Sequence, residues 1–137
     1  MPKGATILVT NSDWETATHA AGPWLHDLAE KFSKKWDTVE LHREDDTYEN
    51  YEANFEEGKT LLHFGCGHGN EKVYTGYSNR VILQYRSTPQ SEFRGCIHYL
   101  LSCLTGQLLG PWMVDSGARA YIGWKKTYKL MISNPND

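Results

Sequence analysis

Residues 59–70 read KTLLHFGCGHGN. Thr60 to Phe64 make a short apolar run of the length of a buried strand. The run passes directly into a turn with glycine at 65, 67 and 69 that carries Cys66 and His68. A second stretch, residues 97–106 (IHYLLSCLTG), repeats the construction: an apolar run, then Ser102-Cys103, then a break at Gly106. In an open parallel sheet, ligands and reacting groups collect beyond the carboxyl ends of the strands. Were the two runs neighbours in such a sheet, His68 and Cys103 would emerge side by side at one rim, an imidazole beside a thiol.

Upstream, Ala5 to Thr10 (ATILVT) has the β-branched apolar character of a central parallel strand. It stops at Asn11-Ser12-Asp13, where Ser12 and Glu15 have the form of a capping box. Pro23 suits a helix start, and Trp24, Leu28, Phe32 and Trp36, with Leu25 and Ala29 beside them, predict an amphipathic helix lying on a sheet. Thr38 to His42 alternates Val39 and Leu41 with polar residues, as a strand nearer the sheet edge does. Tyr48, Tyr51 and Phe55 share one helical face, and Gly58 is placed to close that helix. Downstream of the glycine turn, residues 72–75 and 80–86 read as a hairpin, 88–95 as a short helix, 111–117 as another, and 118–124 as a last strand. Strand and helix alternate through five main strands, which predicts a three-layer α/β sandwich around a mainly parallel sheet with the hairpin inserted after the third strand.

The 137 residues amount to one domain, expected to span 1–137. With 39% hydrophobic and 23% charged residues the composition is that of an ordinary globular protein, and no apolar run is long enough to cross a membrane. The start MPKGATILVT reads as a strand and not as a signal peptide, so a cytoplasmic location without membrane attachment is expected. Three cysteines argue against a disulfide framework and for reduced thiols. The net charge of −3 hides an asymmetry: thirteen acids face six bases up to residue 60, and four acids face eight bases after it. Those later bases are scattered, so nucleic acid is not an expected partner.

A thiolate is a strong nucleophile, and a nearby imidazole both raises its population and protonates the leaving amine. The amides of the glycine turn, with that of Cys103, are the kind of donors that stabilise an oxyanion. An apolar strand ending in His-Gly, a hairpin, an apolar strand ending in Ser-Cys, then a helix leading to Gly117-Ala-x-Ala-x-Ile-Gly123 resembles the caspase-like (clan CD) cysteine peptidases, gingipain-like and CHAT-type domains above all. The matching pieces are residues 61–69, 99–106 and 117–123. The resemblance implies strand order 2-1-3-4-5 and hydrolysis of peptide bonds without a cofactor. It further implies Cys103 as nucleophile, His68 as general acid/base, and the Gly69 and Cys103 amides as oxyanion hole. Asn11, Ser12 and Asp13, at the end of the first strand, then fall at the substrate pocket, where an acid such as Asp13 implies a basic residue before the scissile bond. The family adds a further strand after the fifth. Without it an open sheet edge is expected, through which the chain would pair with a second copy.

Other readings stay open. A caspase-like scaffold without catalysis would serve as a binding or assembly module, with Trp112, Tyr121 and Trp124 as a candidate partner face. Cys66-x-His68 and Cys96-x-His98 are a candidate Cys2His2 zinc shell with unusual spacing. The glycines at 65, 67 and 69 resemble a phosphate cradle, but one that follows the third strand and not the first. His63, Cys96 and His98 are expected to be packing residues.

Overall fold

The computed structural model describes residues 4–127; the first three residues and the polar SNPND end lie outside them. Five strands, β1 (Ile7–Asn11), β2 (Thr38–His42), β3 (Leu62–Cys66), β6 (Ile97–Leu101) and β7 (Ala120–Ile122), form one sheet in the order β2-β1-β3-β6-β7. All four pairings are parallel. Between β3 and β6 in the chain, β4 (Val73–Thr75) and β5 (Val81–Gln84) pair antiparallel as a separate two-stranded sheet.

Because side chains alternate along a strand, each strand serves two cores. Leu8, Leu41 and Leu100 face a cluster with Tyr51, Phe55, Tyr74, Leu83, Leu109 and Met113. That cluster is covered by α3 (Tyr48–Asn54), the β4–β5 pair and α4 (Leu109–Asp115). Ile7, Val9, Phe64 and Leu101 face the other side, against Leu25 and Ala29 of α2 (Gly22–Ser33).

Within α2 the buried positions are Gly22, Leu25 and Ala29, while Trp24 is exposed, as is Trp36 beyond the helix's end. The buried line thus runs through Leu25 and Ala29, with Leu28 and Phe32 packed partly buried beside it. The first cap also differs from expectation. Glu15, not Ser12, caps the short helix α1 (Thr16–His19): its carboxylate accepts from Thr18 N–H while Thr18 Oγ1 accepts from Glu15 N–H. Ser12 is instead tied to β3 by two bonds to the Cys66 carbonyl. Helix α3 ends at Asn54, and Gly58, at φ +87°, belongs to the turn that follows and not to the cap. Residues 90–92 make a single 3-10 turn where a short helix was expected.

Candidate active site at the β3–β6 rim

Strand β3 pairs with β6 in the register Cys66↔Leu101, so His68 and Cys103 each stand two residues past the end of neighbouring parallel strands. The strand ends are laced together: Gly67 N–H donates to Leu101 O at 3.2 Å, and Ser12 Oγ donates to Cys66 O at 2.7 Å. Glycine at 69 is a steric need. A Cβ there would lie 3.0 Å from the Cys103 carbonyl and 2.9 Å from that of Val73. The backbone after His68 thus comes up directly against the backbone of Cys103.

Of the three thiols, Cys66 and Cys96 are buried and Cys103 is partly exposed. Burial pushes both buried thiols up to about 12, which leaves them protonated and poor nucleophiles at neutral pH. Leu104, immediately after Cys103, adopts φ +64°, a left-handed backbone that costs a branched side chain free energy. The turn is held in place by Leu104 N–H to Lys126 O at 3.1 Å and Gly106 N–H to Trp124 O at 2.8 Å. Strained backbone of this kind, imposed by its surroundings, concentrates at reacting centres.

His68 is oriented by a residue that sequence reasoning assigned only to a helix start. Its Nε2 lies 2.9 Å from Glu15 Oε1, the same oxygen that caps α1. Burial pushes the Glu15 carboxyl up, but the Thr18 and Ala17 amides and the His68 imidazole outweigh it, and the group sits below its ordinary range. A carboxylate only accepts, so Nε2 carries the proton and donates, which leaves the Nδ1 lone pair as the ring's base. Trp14 meets the imidazole edge to face with centroids 6.1 Å apart.

Asn11 and Ser12, expected at a substrate pocket, are fully buried. Asn11 Nδ2 donates to Gly22 O and Glu40 Oε2, so both residues hold the scaffold behind the rim and do not line an open pocket wall. Asp13 is 6% exposed and sits between His19 Nδ1 at 2.5 Å and His42 Nε2 at 3.1 Å. Burial pushes its carboxyl up, yet the two imidazoles outweigh this and hold it below its usual range. Its charge is already engaged by this chain.

The Cys2His2 reading fails on geometry. Cys66 belongs to the apolar cluster under α2 and Cys96 to the cluster on the opposite sheet face. Both nitrogens of His98 are committed, Nδ1 to His63 Nδ1 and Nε2 to Phe93 O, each at 3.0 Å. His63, Cys96 and His98 are fully buried, as expected of packing residues. Concavities of about 350 Å³ near Gly110 and Tyr121 and about 370 Å³ near Ile82 and Thr88 are not lined by His68 or Cys103. Comparison with known proteins adds no relative: no family model, curated protein or solved structure matches the chain.

Proposed function

We propose that the chain is a caspase-like cysteine hydrolase that cleaves peptide bonds with Cys103 and His68. The observation that carries this reading is the apposition of Gly69 and Cys103 across the ends of two adjacent parallel strands. It is supported by Cys103 being the one partly exposed thiol of the three and by an imidazole whose Nε2 is fixed by Glu15. The strand order and the β4–β5 pair between β3 and β6 are compatible with that family.

In this mechanism His68 accepts the Cys103 proton and the sulfur adds to the carbonyl carbon, with the oxyanion held by the Gly69 and Cys103 amides. His68 then protonates the departing amine, and water, activated by the same imidazole, hydrolyses the thioester. Because the Asp13 carboxylate is engaged by two imidazoles, it supplies little attraction for a basic substrate side chain, and the proposed substrate is an unfolded peptide segment without a fixed charge requirement.

The test is alkylation followed by turnover. Iodoacetamide on native protein is expected to modify Cys103 well ahead of Cys66 and Cys96, and Cys103→Ala to abolish cleavage of a fluorogenic peptide panel that includes Arg- and Lys-ended members. Selective labelling with no cleavage across the panel would leave a binding scaffold. Equal labelling of all three thiols would remove the site itself.

A further inference from the structure

On the outer strand β2, Glu40 and His42 are two residues apart and share the sheet face that α2 covers, while Val39 and Leu41 serve the opposite core. His26, one turn into α2, lies above them. One ligand atom from each of His26, Glu40 and His42 falls within 4.8 Å of the others. We propose that these three residues form a binding site for a single divalent transition-metal ion of the zinc type, separate from Cys103 and His68.

Several of the neighbouring donor atoms are already committed. Glu30 Oε1 lies 3.2 Å from His26 Nε2, and Asp13 Oδ2 lies 3.1 Å from His42 Nε2. Asn11 Nδ2 donates to Glu40 Oε2 at 3.0 Å. The far atoms of His42 and Glu40 are thus hydrogen-bonded and that of His26 lies within ion-pair reach of Glu30, which makes His26 Nδ1, His42 Nδ1 and Glu40 Oε1 the candidate donor atoms, the first and last now paired with each other. His42, whose Nε2 donates to the Asp13 carboxylate, has the arrangement that fixes a ligand ring and raises its basicity toward a metal. The two rings are also stacked, with centroids 5.7 Å apart and 22° between planes.

Two imidazole nitrogens and one carboxylate oxygen suit zinc, cobalt or nickel, and suit calcium or magnesium poorly. Bond lengths of about 2.0–2.2 Å put tetrahedral donors about 3.3 Å apart. His26 Nδ1 and Glu40 Oε1 are now 2.6 Å apart, joined by a proton, so the ion would displace that proton and spread the pair by well under 1 Å. His26 is exposed and the other two partly so, which gives the ion a path in and leaves a fourth position to water.

The experiment uses full-length Cys103→Ala protein, so that the accessible thiol does not contribute, freed of metal by chelation. Titration with Co²⁺ alone is expected to give one ion per chain with visible absorption of a tetrahedral N/O site, and Zn²⁺ is expected to displace it. His26→Ala and His42→Ala should each weaken binding tenfold or more. Glu40→Gln, which keeps the side-chain shape and the bond to Asn11, tests the charge without disturbing the strand and should weaken it similarly. Circular dichroism of each variant checks the fold. Absence of saturable one-to-one binding by about 1 mM metal, or binding unchanged in the three variants, overturns the site.

Discussion

His63 and His68 stand five residues apart and live in opposite worlds. His63 is fully buried in β3; His68, just past the strand, is about two-fifths exposed. Inside, every ring nitrogen is spoken for. The Phe93 carbonyl only accepts, so His98 Nε2 donates to it and His98 Nδ1 is left as acceptor. His63 Nδ1 then donates to His98 Nδ1, and His63 Nε2 accepts from Thr10 Oγ1 at 2.7 Å. Thr10 Oγ1 in turn accepts from Tyr74 O–H at 2.8 Å. With both imidazoles neutral, the proton positions along the chain follow from that one carbonyl. Burial pushes His98 down to about 4, and burial together with His98 pushes His63 well below its ordinary value. At the rim, among the described residues, only Nε2 of His68 is committed. What separates the structural histidine from the candidate one here is the number of nitrogens left over.

The largest expected effect comes from breaking the interior chain. His63→Leu leaves His98 Nδ1 without its donor and Thr10 without one of its partners in a dry core. About 3–5 kcal/mol of stability should be lost in urea denaturation. His68→Leu, at the half-exposed rim, should cost under about 1 kcal/mol. Similar losses for the two variants would erase the contrast.

The same contrast has a pH signature. Both interior histidines have folded values below the unfolded value of 6.5, so below that pH the unfolded chain binds more protons than the folded one. Their contribution is therefore complete above about pH 6.5 and is lost as pH falls toward about 4, on the order of 3 kcal/mol for His98 alone. Asp13 and Glu15, whose folded values are lowered, lose their contribution only below their unfolded values of 3.8 and 4.5. Denaturation midpoints are expected to fall already between pH 6.5 and 5. A flat midpoint over that range would mean that the buried rings are not held neutral.

The two apolar runs and their glycine breaks made the parallel neighbours β3 and β6 legible, because buried strands write continuous hydrophobic sequence. The rim position of His68 and Cys103 followed from the same pattern. Glu15 did not: it reaches His68 across 53 residues, and its local spacing to Ser12 imitated a cap while the true cap partner was Thr18. Asp13 read as an acid free for substrate because nothing in the chain nearby announces His42, 29 residues away. The His63–His98 pair depends on strand register, which sets the two opposite one another and which no single strand encodes. Helix α2 was found, but its buried line runs through Leu25 and Ala29, while Trp24 and Trp36, at the two ends of the expected stripe, are exposed.

The smallest expected effect sharpens the rim side of the comparison. Glu15→Gln keeps an oxygen able to accept from His68 Nε2–H, so the tautomer and ring orientation survive, and so does acceptance from Thr18 N–H at the cap. What goes is the negative charge that stabilises the imidazolium formed when His68 takes a proton. With the pair about one-third exposed, that charge is screened, and alkylation of Cys103 at neutral pH should slow by roughly two- to fivefold. Glu15→Ala, which also frees the ring and uncaps α1, should slow it further and cost about 1 kcal/mol of stability. A Gln variant as slow as the Ala variant would assign the whole effect to charge. A Gln variant as fast as the parent would mean that the charge contributes nothing and that Glu15 acts on His68 through the hydrogen bond alone.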